Sequence, residues 1–126
     1  QRSSSDIAEL IDEVVEYGKI KILIKLLDGD HDLKSLADQF RDIVKNKGIA
    51  VFGLVDDNKA SIVSAVTKDL TSVISASEIV KSIGKFINGG GGGTDTLATA
   101  GGKKPDGISE ALEEALKLIE GAIDNG

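Results

Sequence analysis

Residues Asn88 to Gly102 read NGGGGGTDTLATAGG, and this stretch constrains the chain more than any other. Five glycines run from Gly89 to Gly93, the pair Gly101-Gly102 follows, and Lys103-Lys104-Pro105 closes the segment. Glycine has no Cβ and reaches φ > 0 at no steric cost, so such a run folds sharply and brings backbone N–H groups against a ligand. It also loses the most entropy on ordering, so an ordered run needs contacts that hold it. By composition alone the run reads as a flexible linker. Its flanks read otherwise. An amphipathic pattern from Ile79 to Ile87 enters it, and another from Ile108 to Ile123 follows soon after. An ordered run is expected to hold Gly91 or Gly92 at φ > 0, where a β-branched replacement is a steric outlier.

The rest of the composition narrows the classes of function. The 126 residues suffice for one domain with its own core, and 40% hydrophobic with 29% charged residues is ordinary for a globular protein. No apolar run approaches the ~18 residues of a membrane span, and no signal-peptide pattern opens the chain. A cytoplasmic home and no membrane partner are the expectations. Without cysteine there is no disulfide, zinc–thiolate site or thiol catalysis. Without methionine, residue 1 reads as the start of a piece cut from a longer chain.

The net charge of −6 argues against binding nucleic acid with the whole surface. Its distribution is uneven. Residues 1–17 carry five acids and one base, and residues 106–126 carry six acids and one base. Residues 18–105 carry ten acids and thirteen bases, so the part containing the glycines is mildly basic.

In chain order, Asp6 with Glu9 resembles a capping box, and Ile7, Leu10, Ile11, Val14 and Val15 predict a helix ending at Gly18. The alternation in Lys19 to Asp28 predicts a strand, with its lysines on a solvated or protected edge. Asp28, Asp30 and Asp32 open like a calcium loop, but the required glycine and glutamate are Leu33 and Gln39, so calcium is rejected. Asp30 or Asp32 is expected to cap a helix carrying Leu33, Leu36, Ala37, Phe40, Ile43 and Val44 and ending at Gly48. Ile49 to Val55 and Ala60 to Thr67 predict a hairpin about Asp56–Lys59. The first strand, helix and second strand are expected to form a right-handed parallel crossover. A helix over Ser77–Ile87, a short strand over Thr96–Ala100 and a final helix capped by Asp106 complete the expected set.

The residues exclude several chemistries. The glycine run follows a helix, which is the wrong context for a dinucleotide fingerprint, and no G-x-x-x-x-G-K-[ST] occurs. The single histidine, His31, has no partner histidine or cysteine for a triad or a metal, so no catalytic and no metal-binding residue is assigned. What remains is an anion-binding nest of glycine N–H groups, bordered by Lys103 and Lys104 and by Lys81 and Lys85 one turn apart, with Lys68 also within approach. Such a site meets phosphates without reading bases.

These residues match a family. Thr67-Lys68-Asp69-Leu70-Thr71, Ala76-Ser77-Glu78-Ile79-Val80-Lys81, Gly89–Gly93, Ala98-x-x-Gly101-Gly102 and the acidic helix after Pro105 resemble the DHH-associated domain. They look most like the C-terminal domain of alanyl-tRNA synthetase, C-Ala, from Lys19 onward. That resemblance implies an α/β fold, a mixed β-sheet flanked by helices with a glycine-rich loop between two helices. It divides the chain into residues 1–18, the end of an upstream helical dimerisation or linker segment, and residues 19–126, the globular domain. It further implies a non-catalytic module that binds tRNA(Ala) and helps assembly beside the other domains of a synthetase, with a homodimer as a further possibility. The tRNA-binding set is Lys81, Lys85, Gly89, Gly90, Gly91, Gly92, Gly93, Gly101, Gly102, Lys103 and Lys104. The resemblance implies no cofactor for this stretch and ATP, Mg and Zn for the rest of the parent ligase.

The match is not complete. The family's first glycine is Asn88 here, and its Arg-Pro-Asp is Thr94-Asp95-Thr96. The related DHH phosphoesterases carry histidine where this chain has Thr94, which speaks against a hydrolase's substrate-binding domain. The corresponding domain of a free-standing alanyl-tRNA editing protein and a purely structural dimerisation module are the other readings.

Overall fold

A computed structural model describes residues 10–27 and 32–125. The strands are β1 (Val15–Tyr17), β2 (Ile20–Leu27), β3 (Gly48–Asp56), β4 (Lys59–Val66), β5 (Gly89–Gly93) and β6 (Leu97–Gly102). The helices are α1 (Leu33–Val44), α2 (Ala76–Ile83) and α3 (Ile108–Asn125). All six strands form one sheet in the order β1-β2-β3-β4-β6-β5. Among the described residues only β2 and β3 run parallel, joined by α1 as expected; every other neighbouring pair is antiparallel.

Period-two alternation gives the sheet two apolar faces. Ile49 and Val51 of β3, with Ile62 and Val66 of β4, join Ile79, Ile83, Leu112 and Ile119 in the core under α2 and α3. Ala50, Phe52, Val63 and Ala65 face the other way and pack with Leu36, Ala37 and Phe40 of α1. The layers are therefore α1, sheet, and α2 with α3. Gly53 lets α3 lie close to β3: a Cβ there would meet the Ile108 side chain at 3.1 Å and Leu112 at 3.3 Å.

Local chemistry starts and stops the elements. Asp32 caps α1, its Oδ1 accepting from the Ser35 N–H at 3.2 Å. Ser75, two residues before the expected start, caps α2 in a reciprocal box with Glu78, each backbone N–H donating to the other side chain at 3.1 Å. The Thr67-Lys68-Asp69 motif braces the chain between α1 and β3. Thr67 Oγ1 accepts from the Gly48 N–H at 3.1 Å, and Asp69 Oδ2 accepts from the Lys47 N–H at 3.1 Å.

Three expectations need correction. The first helix does not reach Gly18: a 3-10 turn covers Ile11–Glu13, and Val15–Tyr17 is a strand. Gly18, at φ 67°, opens a two-residue turn that folds this strand against β2, pairing Tyr17 with Ile20. β-Branched and aromatic residues beside such a turn favour the hairpin over another helical turn. Asp106 lies inside a 3-10 turn, Pro105–Gly107, ahead of α3 rather than at its cap. The glycine segment does lie between two helices, but its five glycines are strand β5 rather than a loop. The expected cap at Asp6 and the readings of Asp28, Asp30 and His31 lie outside the described residues.

Tyr17 ties β1 to the end of α3, its hydroxyl donating to the Asp124 carboxylate at 2.8 and 2.9 Å. That hydrogen bond, then desolvation and the charges of Asp124 and Glu120, pushes the phenol above its ordinary value. A raised folded value makes the contact stabilising below the phenol's unfolded pKa and lost as pH rises through the folded one. Tyr17 is the only tyrosine, so phenolate absorbance titrates it alone. Its midpoint should lie above that of the unfolded chain and fall in Asp124→Asn. Equal midpoints in the two proteins would contradict the contact.

Candidate functional site

β5 is an edge strand, bonded on one side to β6 and free of any strand partner on the other among the described residues. Its register pairs Gly89 with Gly102 and Gly93 with Ala98, so the whole run is held and is not a linker. The turn at its end is tied twice: Thr94 N–H donates to the Leu97 carbonyl at 2.8 Å, and Asp95 carbonyl accepts from the Ala76 N–H at 2.7 Å. The second bond pins the turn to the first residue of α2.

Close backbone approach, rather than φ > 0, is why glycine stands here. Gly91 and Gly92 do not have positive φ. A Cβ on Gly89 would lie 2.0 Å from the Gly101 carbonyl oxygen, and one on Gly91 would lie 2.1 Å from that of Thr99. At Gly93 the Leu97 carbonyl oxygen would be 2.5 Å away. At Gly90 nothing lies within 4 Å, and at Gly92 only the Lys81 Cε, at 4.0 Å, does. The strand is thus rolled so that alternate Cα–H bonds point into β6 and the others into open space. This extended, paired backbone is not the curled αR-αL sequence of an anion nest, so the nest is withdrawn.

The expected lysines border the strand. Lys81 lies across Gly92 from α2. Lys85 stands in the following 3-10 turn, its Nζ 5.4 Å from the Phe86 ring centroid. Lys103 and Lys104 leave β6 at the other end, where the Lys104 N–H donates to the Ile87 carbonyl at 3.0 Å. All four are exposed. Lys68 does not join them. It lines a cleft beside α1 with Arg41, Lys45 and Thr96, a grouping the linear sequence did not disclose. Its one sequence signal is the basic run Lys45-Asn46-Lys47 before Gly48. Among the described residues no cluster of three His, Cys, Asp or Glu side chains is placed to hold a metal ion, and no described helix is long and apolar enough to cross a membrane.

These features define a three-layer α/β module with an open glycine edge set between exposed lysines. The chain belongs to the DHHA1 domain family, whose model matches residues 19–125. Alanine–tRNA ligase from Anaeromyxobacter dehalogenans is 39% identical over 121 residues, which is 95% of this chain and 13% of that protein. The C-Ala domain of Aquifex aeolicus alanyl-tRNA synthetase superposes with a TM-score of 0.73 at 29% identity, over 86% of this chain and 96% of that one. A pGpG-specific phosphodiesterase from Vibrio cholerae shares the fold at a TM-score of 0.52 and 15% identity, over 99% of this chain and 40% of that one. The chain thus spans about an eighth of its curated relative, and matches the solved C-Ala domain over nearly its whole length.

The glycine geometry makes a paired prediction. Gly91→Ala should destabilise the fold by about 1–3 kcal/mol, because β5 must move off β6. Gly92→Ala should be neutral or stabilise by up to about 1 kcal/mol, since its added methyl meets open space and stiffens the unfolded chain. Urea denaturation of the two variants distinguishes them, and equal midpoints would contradict the rolled strand.

Proposed function

We propose that this chain is the C-terminal, tRNA-binding domain of a cytoplasmic alanyl-tRNA synthetase. In this reading it performs no chemistry and holds tRNA(Ala) for the aminoacylation and editing domains of its parent. Homodimerisation through the region upstream, and the use of ATP, Mg and Zn elsewhere in the parent, belong to the same reading. The likeness to the Aquifex aeolicus C-Ala domain supports it.

The observation that carries the reading is the basic border of the glycine edge in a protein of net charge −6. An edge strand without side chains lets a phosphate backbone come close to the main chain, and Lys81, Lys85, Lys103 and Lys104 supply the neutralising charge. Contacts of this kind hold the nucleic acid without reading its bases. The opposite end of the sheet is unlike it. Lys25 is paired with Glu13 at 2.7 Å, and Lys21 stands opposite Glu16 across the β1–β2 pair. β2 is separated from β5 by four strand spacings, about 19 Å.

Binding of tRNA(Ala) should therefore weaken with salt. Lys103→Ala with Lys104→Ala should lower affinity and reduce the logarithmic salt slope by about one to two. Melting should hardly change, because exposed lysines contribute little to stability. Lys21→Ala with Lys25→Ala is the control, expected to leave the slope unchanged. If the control weakens binding and the Lys103/Lys104 pair does not, the tRNA lies on another face.

A further inference from the structure

We infer that the cleft between α1 and the β5–β6 turn is a second anion site that takes a phosphate group. The cleft is open, about 500 Å³, and separate from the lysines of the glycine edge. Three cationic side chains from two parts of the chain meet there: Arg41 and Lys45 at the end of α1, and Lys68 in the 3-10 turn after β4. Two carboxylates, Asp38 and Asp42, also line it. Asp38 is engaged by the Arg41 guanidinium. This leaves Lys45 and Lys68 against Asp42, and neither lysine has an ion-pair partner among the described residues. The wall also carries the hydroxyl-bearing Thr67 and Thr96.

Two further observations separate this cleft from an ordinary solvated surface. Arg41 is held rather than free. Its Nη1 donates to the Thr96 carbonyl at 3.4 Å, and its Nε is buried without a partner among the described residues. Asp38 meets the charge of the guanidinium, but the buried Nε–H has no acceptor among the described residues, and a phosphate oxygen is a fitting one. Lys45 is strained. Its φ is 70° and ψ is −47°, and the Asn46 N–H closes back on the Val44 carbonyl at 2.8 Å. This is the rare, strained hand of the γ-turn, at a non-glycine residue. Glycine would fit there at no cost, yet a lysine stands beside the cleft. Backbone strain of this kind collects at ligand clamps.

The required chemistry is a compact dianion or diester with several acceptor oxygens, which is a phosphate. It is either a backbone phosphate of a nucleic acid or a free phosphate ion or monoester. The isotope-labelled chain is titrated with inorganic phosphate at constant ionic strength, chloride balancing, and followed by amide chemical shifts. Saturable shifts at Lys45, Lys68 and Thr96 are expected, and they should vanish in the double variant Lys45→Gly, Lys68→Ala. That variant should melt no lower than the parent chain, since glycine relieves the strain at residue 45. In the second arm, the same variant binds tRNA(Ala) with a logarithmic salt slope reduced by about 0.7–0.9 if the phosphate is a backbone diester. An unchanged slope with saturable inorganic phosphate assigns the site to the free anion, and a reduced slope without such saturation assigns it to the diester. No saturable shift together with an unchanged slope overturns the proposal. The phosphate titration needs no tRNA, so its outcome is independent of the Lys103/Lys104 experiment.

Discussion

Where two backbones meet closer than a Cβ permits, only glycine can stand, and this fold is joined along such a seam. Gly89, Gly91 and Gly93 lean on the carbonyls of β6. On the far side of the seam, a Cβ on Gly102 would lie 2.1 Å from the Ile87 carbonyl oxygen, and one on Gly107 would lie 1.7 Å from that of Phe86. The seam therefore links β5, β6, the end of the α2 segment and the start of α3. A single methyl group at any of these positions forces elements apart, and the core residues Ile79, Ile83, Ile87 and Ile108 lie directly behind it. Packing of those apolar side chains offsets the entropy of ordering five successive glycines.

The same seam sets the electrostatics of the surface. Because α2 is tied by Ala76 to the β5–β6 turn, its exposed Lys81 comes to lie across Gly92. Lys103 and Lys104 follow from β6 ending where β5 begins. At the other edge of the sheet, Glu13 and Glu16 meet Lys25 and Lys21, and the α3 carboxylate Asp124 accepts from Tyr17. At the glycine edge Lys81, Lys85, Lys103 and Lys104 have no ion-pair partner among the described residues, whereas acid and base face each other at the β1 edge. The glycine edge thus carries a local group of exposed lysines that the net charge of the protein conceals.

Much of the architecture was legible because side chains announced it. Asp32 before Leu33, the alternation in Lys19 to Asp28, the turn at Asp56–Lys59 and the apolar stripe of α1 each correspond to an element found, although Ile43 of that stripe is exposed. The parallel β2–α1–β3 unit follows from them. The strand at Val15–Tyr17 was missed because three residues suit a helical stripe as well as an edge strand, and only pairing across Gly18 decides. The lysine border was readable from its nearness in sequence to the glycines. The Arg41–Lys45–Lys68 cleft was not, since Lys68 is 27 and 23 positions away from its neighbours there.

By itself, the sequence determined β2, β3, β4 and the three helices, their order, the parallel crossover and the family, all of which rest on side-chain period and motif. Only the tertiary structure decided what five glycines would be. A run without side chains has no period of two or of 3.6 to read, so nothing local separates linker, loop and strand. The choice fell to contacts distant from the run: the β6 carbonyls that leave no room for a Cβ, the first residue of α2 and the isoleucine core.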